Sequence, residues 1–269
     1  MRLVFLLLMA LFCSFMKDHL EEWSAVGSLT PYVWERNEFR KLQLGESLAA
    51  KEAIDSDALA SLMAEHGFDL TDFRDSADPV LQFPVKKPEE FRKLSQYYGM
   101  IFDDLKYFPV PLSCSRSVPD ITYSDGWMQK RSYGGERGHE GCDLMGNKMP
   151  RGFYPVVSMT DGTVEKTGWL EQGGWRIGIR APSGAYFYYA HLYRYERQWK
   201  EGDVVRAGEL LGYMGDSGYG EEGTTGMFDV HLHVGIYLKT EHYEELSVNP
   251  YWVLRYLEKK RLIYDYGDR

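Results

Sequence analysis

The chain is 269 residues long, 44% hydrophobic and 26% charged, with a formal net charge of −9. That length and balance suit one large globular domain, or a domain with a smaller companion. The acidic surplus supplies no basic surface to neutralise phosphates, which argues against nucleic acid as the main partner, and no polybasic handle for anionic lipid.

Residues 1–16, MRLVFLLLMALFCSFM, place one arginine before fourteen apolar or small residues. Fourteen is short for a membrane span and suits the apolar core of an export signal. No clean small-x-small cleavage site follows. The segment therefore reads as an export signal or membrane anchor, and the protein as extracytoplasmic. A lipoprotein reading of Cys13 is disfavoured by the bulky Leu11 and Phe12 before it, and a buried N-terminal helix is the plainer alternative.

Residues 17–125 read as a mostly helical region followed by a linker. The stretch 56–67, SDALASLMAEHG, opens on Asp55 or Ser56 as a cap and stops at Gly67, with Leu59, Leu62 and Met63 on one face. A second helix is predicted from Pro88, with Glu89 and Glu90 suiting its dipole. Phe91, Leu94, Tyr98, Ile101, Phe102 and Leu105 then recur at threes and fours. Pro109 and Pro111 close it, and 109–125 reads as the linker.

From 126 to 245 glycines become dense and short apolar runs alternate with turns: YPVVSM, RIGIRA, AYFYYAHL, GELLGYM and DVHLHVGIYL. Asp161-Gly162 and Ser183-Gly184 are turn signals between such runs, and the short connections predict antiparallel pairing. Residues 246–269 form a C-terminal extension with a helix after Asn249-Pro250, carrying Trp252, Val253, Tyr256 and Leu257 on one side. The fold class is α+β. Three cysteines, Cys13, Cys114 and Cys142, are too few for a disulfide framework. A Cys114–Cys142 pair is open.

Four of the seven histidines fall in the β block within distinctive patterns. GHEGCDL, 138–144, sets His139 and Asp143 four apart. YYAHL, 188–192, ends an aromatic strand on His191. FDVHLHVGIY, 228–237, reads as a buried strand with two histidines, His231 and His233, on one face by simple alternation. A single histidine in a strand is more often structural than a ligand, and H-x3-D alone is weak. Burying two imidazoles side by side without partners is costly, however. The three patterns together are hard to explain as packing. His139, Asp143 and one member of the HLH pair would give two nitrogens and one oxygen, the donor set of a catalytic zinc with a place left for water. Zinc lowers the pKa of such a water to about 7. No H-E-x-x-H helix is present, so the Glu base of that site is missing. A cysteine hydrolase using Cys142 would employ one histidine and leave the rest unexplained.

Residues 138 to about 240 resemble the lysostaphin/LytM-type zinc endopeptidases of bacterial cell walls. HEGCD at 139–143, GFYPVVSMTDGTV at 152–164, YAHL at 189–192, EGDVVRAGELLG at 201–212, GDSG at 215–218 and HLHVGIY at 231–237 carry the resemblance. It implies a small open antiparallel β domain of the duplicated-hybrid-motif type with a narrow groove. It also implies one zinc per chain on His139, Asp143 and His233, with His191 and His231 activating water and steadying the oxyanion. The implied substrates are the peptide stems and cross-bridges of peptidoglycan. The alternative is a non-catalytic or latent wall-binding scaffold of the same fold, against which the intact five positions argue. Two features depart from the family pattern. Residues 219–230, YGEEGTTGMFDV, form an insertion that displaces Thr225-Gly226 and puts Val230 where a proline is usual. Cys142 stands at a usually aliphatic position, and its side chain is expected to face away from the metal. Trp169, Trp175, Tyr188 and Tyr189 are candidates for groove walls or for core. The N-terminal helical region matches nothing named, and reads as a cover for the groove, a spacer, a partner-binding module or plain support.

Overall fold

The computed structural model describes residues 9, 12–13, 29–74, 89–146 and 149–267. The expected export signal or anchor falls almost wholly outside them, as does the predicted helix start at Pro88. No helix among the described residues is long and apolar enough to cross a membrane.

The N-terminal region begins with a 3-10 turn at Val33–Glu35 and two short helices, α1 (Asn37–Lys41) and α2 (Gly45–Ala49). Helix α3 (Ser56–Glu65) starts where the sequence places it, with the Asp55 carboxylate accepting from the Ala58 backbone N–H at 2.8 Å. Its Leu59, Leu62 and Met63 are buried against α4 (Glu89–Phe102). On α4 every residue of the three-and-four spacing from Phe91 to Phe102 is buried. Leu105, one turn further, is buried beyond the helix end and bridges to Thr160.

The β strands follow: β1 (Leu112–Ser113), β2 (Lys130–Arg131), β3 (Arg137–Gly138), β4 (Cys142–Met145), β5 (Pro155–Val157), β6 (Gly162–Leu170), β7 (Gly174–Arg180), β8 (Tyr186–Tyr195), β9 (Val204–Val205), β10 (Leu210–Met214), β11 (His231–Leu238), β12 (Leu246–Val248) and β13 (Ile263–Tyr264). Nine of them form one sheet, whose main path runs β12-β11-β8-β7-β6-β9 and whose pairs are all antiparallel. β4 also pairs with the first half of β11, and β10 joins the far half of β8 to β5. The aromatic and apolar runs seen in the sequence become β7, β8, β10 and β11. Strand β6, GTVEKTGWL, has no such run, because only one of its nine residues is buried. Gly162, expected in a turn, instead begins this strand. A Cβ there would lie 2.4 Å from the Arg180 carbonyl oxygen, so the glycine permits close strand approach.

Residues 109–125 are bound along the β domain. Leu112 and Cys114 donate to the Leu262 and Tyr264 carbonyls, making β1–β13 a parallel pair, and the Tyr154 hydroxyl donates to the Pro119 carbonyl at 2.7 Å. Helix α5 (Tyr251–Leu257) follows Asn249, whose side-chain oxygen accepts from the Tyr251 N–H, and it packs against α2. One continuous apolar core joins the helices to the sheet.

Candidate active site

The register of two neighbouring strands sets the site. On β11 and β4, His233 stands directly opposite Asp143, so the two side chains leave the same face. His139 lies just before β4, where the chain turns through Glu140 and Gly141. The Asp143 Oδ1 atom is 3.0 Å from His139 Nε2 and 2.9 Å from His233 Nδ1, and the two imidazole nitrogens are 3.1 Å apart. Among the described residues these three are brought together as a possible metal-binding group. Ligands about 2.1 Å from a tetrahedral zinc sit roughly 3.4 Å from one another. The observed triangle is slightly tighter than that. Three electron-rich atoms this close repel unless a proton or cation lies among them.

Local features hold the ligands in place. The His139 Nδ1–H donates to the Gly126 carbonyl at 3.1 Å. A carbonyl only accepts, so this contact fixes the tautomer and leaves the Nε2 lone pair facing Asp143. Gly141 makes room for the His233 ring: a Cβ there would fall 2.3 Å from its Cε1 and 2.5 Å from its Nε2. Burial by itself pushes the Asp143 carboxyl up. The hydrogen bonds from His139 and His233 and the attraction of the neighbouring imidazoles outweigh it and hold the group well below the usual carboxylate range. Arg131, which the sequence reading missed, donates to the outer Asp143 Oδ2 at 2.7 Å.

His231 shares the face of His233, as alternation requires, and its Nε2 lies 3.7 Å from Asp143 Oδ1. Its Nδ1–H donates to the Asp229 carbonyl at 2.7 Å, which leaves Nε2 as the free acceptor. His191 reaches the same place by another route. Across β8 and β11 Ala190 pairs with His233, so strict alternation would turn residue 191 toward the opposite face. Instead the register between β7 and β8 shifts, with two residues of β8 set against one of β7, and His191 adopts a left-handed φ of 62°. This β-bulge re-aims the imidazole into the groove. The left-handed conformation costs about 1–2 kcal/mol for a residue with a Cβ. His191 Nδ1–H then donates to the Ser217 carbonyl at 2.8 Å, and the rings of His191 and His231 lie 4.7 Å apart. Burial, reinforced by the neighbouring His231 and His233, pushes His191 well below the ordinary histidine range, so it is neutral.

The five groups line a cavity of about 460 Å³. Tyr219 and Phe228, near the two ends of the 219–230 segment, form part of its wall. Phe228 packs on His191 and His231 at 4.6 and 5.0 Å between ring centres. Tyr219 stacks face to face on Tyr133 at 4.2 Å. This segment is tied down by Gly226 N–H to Asp216, Gly218 N–H to the Thr224 carbonyl and Tyr219 N–H to the Glu171 carbonyl. Of the aromatic candidates, Tyr188 lines the cavity, whereas Tyr189 is core, fully buried with its hydroxyl oxygen accepting from the Met159 backbone N–H at 2.8 Å. Trp169 and Trp175 pack edge to face on each other.

Cys142 points away from the metal group, buried, with its thiol directed at the Ser124 carbonyl. Burial pushes that thiol far up, with the nearby Asp143 and Asp125 charges acting in the same sense, so it is no nucleophile. Cys114 lies at the surface against Asp265, and no disulfide joins the two.

The chain is similar to known proteins over this region. Residues 137–250 match the Peptidase family M23 model. A crystal structure from Ruminococcus gnavus ATCC 29149, described as a candidate glycyl-glycine endopeptidase lytM, is 48% identical, with a TM-score of 0.71, over 86% of this chain and 94% of that one. The L-Ala–D-Glu endopeptidase of Bacillus subtilis (strain 168) is 41% identical over 170 residues, 63% of this chain and 49% of that protein. The glycyl-glycine endopeptidase ALE-1 of Staphylococcus capitis is 31% identical over 116 residues, covering 39% of this chain and 30% of its own length. The chain thus spans half or less of the curated relatives it matches, while nearly the whole of the Ruminococcus gnavus structure is covered. With an antiparallel main sheet, a matching domain and a relative similar over 94% of its length, the chain belongs to peptidase family M23, the lysostaphin/LytM family.

Proposed function

We propose that the protein is a zinc-dependent endopeptidase that hydrolyses amide bonds in the stem peptides or cross-bridges of bacterial peptidoglycan, outside the cytoplasm. The observation that carries this reading is the convergence of His139, Asp143 and His233 beside two further imidazoles, His191 and His231, each with Nδ1 tied to a backbone carbonyl. The relatives named above are endopeptidases, and the donor set suits zinc. His139, Asp143 and His233 would hold a zinc ion, whose chemistry there would be to activate a water and polarise a carbonyl.

The chain's own residues do the rest. The groove receives an extended peptide beside Tyr188, Tyr219 and Phe228. His231 or His191 accepts the proton of the attacking water at Nε2, the atom that its carbonyl-bound Nδ1 leaves free. As the C–O bond forms, the protonated ring stabilises the developing oxyanion. The same proton then passes to the nitrogen of the leaving amine as the C–N bond breaks. Phe228, packed on both rings, limits the water that reaches them.

The test is a digest of purified peptidoglycan sacculi by the protein, with and without a chelator, read by mass spectrometry. New peptide ends that vanish with chelator and return with added zinc are expected, and they name the bond. Absence of release from protein loaded with one zinc would overturn the reading in favour of a silent scaffold.

A further inference from the structure

Two arginines in the groove carry charges that no carboxylate among the described residues balances. Arg131 and Arg137 face each other across the β2–β3 hairpin, so both side chains leave the same face. Arg131 is paired with Asp143. Arg137 reaches the Tyr219 hydroxyl at 3.4 Å, and its Nε is buried without a hydrogen-bond partner. Arg176 enters the cavity from β7, and its Nη1 is likewise buried and unpartnered. Among the described residues neither guanidinium forms an ion pair with a carboxylate, whereas the other two cations of the cavity do, Arg131 with Asp143 at 2.7 Å and Lys166 with Glu245 at 2.5 Å. The groove's own carboxylates are thus committed, Asp143 to the imidazoles and Arg131, and Glu245 to Lys166. A buried donor without an acceptor is costly, and two uncompensated like charges in one cavity repel. An anionic occupant relieves both.

We propose that Arg137 and Arg176 receive free carboxylates of the substrate, making the enzyme selective for peptides with a carboxylate near the scissile amide over neutral peptides of the same backbone. This rests on the peptidase reading above and names the substrate class for that site. Arginine suits the task, because its planar fork binds a carboxylate through two hydrogen bonds at once.

The test compares one preparation of soluble peptidoglycan peptides before and after carbodiimide coupling to ammonia, which turns free carboxylates into neutral amides. The zinc-loaded protein is expected to cleave the acid form with a kcat/KM roughly ten- to a hundredfold higher, mainly through KM. Arg137→Gln and Arg176→Gln should each shrink that ratio, and Arg→Lys at the same positions should restore part of it, with zinc content and thermal transition as checks on the fold. Equal cleavage of the two preparations by the unaltered protein would overturn the proposal and leave the peptidase reading standing. Arginine variants that lose both preparations to the same degree would also overturn it. If neither preparation is cleaved in a chelator-sensitive way, the peptidase reading falls, and this proposal with it.

Discussion

His233 and Asp143 meet across adjacent strands, and His139 closes the triangle, so substitutions there should act first on the metal. His233→Ala and Asp143→Ala are expected to lose both bound zinc and activity, measured by metal analysis and peptide release. His231→Ala and His191→Ala should keep the zinc and lower kcat by about 10²- to 10⁴-fold, the usual contribution of a positioned acid–base group. Should His231→Ala empty the site while His233→Ala does not, the roles of the pair are reversed. Gly141 gives a sharper residue-scale test, since it is not among the residues that line the cavity. Gly141→Ala drives a methyl group into the His233 ring, where 2.3 Å is available. The ring must tilt, and zinc affinity is expected to fall tenfold or more, measured by competition with a chromophoric chelator. Unchanged affinity would show that the ring has another place to go.

At the scale of elements, the strand holding the HLH pair was legible because alternation is a strict rule: two residues apart means the same face, and β11 obeys it. The helices α3 and α4 were legible for a similar reason, each showing one clear apolar stripe and, for α3, a capping aspartate. What escaped was wherever the chain breaks its own period. His191 was named through family resemblance, but its geometry depends on a bulge and a left-handed backbone that the run AYFYYAHL does not announce. Strand β6 escaped because its residues are mostly half-exposed, leaving no apolar run to read. Arg131, Arg137 and Arg176 escaped because long charged side chains on short or polar strands look like solvated surface until the register shows where they point. Contacts between elements also yield a prediction about acid stability. Glu241, in the turn after β11, accepts from Trp34, Lys93 and Tyr97 of the N-terminal region. Burial opposes its ionisation, but the Lys93 ion pair and these donors bring its pKa from the ordinary 4.5 down to about 2. A carboxyl lowered in the folded state stabilises above its unfolded value and loses that contribution as pH falls toward the folded one. Stability should therefore decline between about pH 4.5 and pH 2, by about 1 kcal/mol once solvent screening is allowed for. Glu241→Gln should flatten that decline in acid denaturation followed by circular dichroism.

On the scale of the whole molecule, the described N-terminal helices brace the β domain from outside the groove. Arg40 donates to Ser247 of β12, the Asn249 N–H donates to the Arg40 carbonyl, and Arg255 of α5 pairs with Glu46 of α2. The cavity residues all lie between 131 and 245, so none of the described helices lines it. Deleting residues 29–105 strips the cover from the apolar face of α5 and from α4's side of the sheet. A lower thermal transition and a tendency to aggregate are expected, read by scanning calorimetry and light scattering, without a gain in kcat/KM. A gain of tenfold or more would instead identify that region as a cover. The facing positions of β4 and β11 have one further consequence, for how the molecule matures. A slip of one residue between these strands would send His233 to the face opposite Asp143 and scatter the donor triangle. Only the correctly registered sheet can capture the ion with all three residues, so metal uptake rewards the right pairing and no neighbouring one. The ion would thus serve as a proofreader of strand alignment, and chains that fold without it would have only their packing to tell a true sheet from a shifted one.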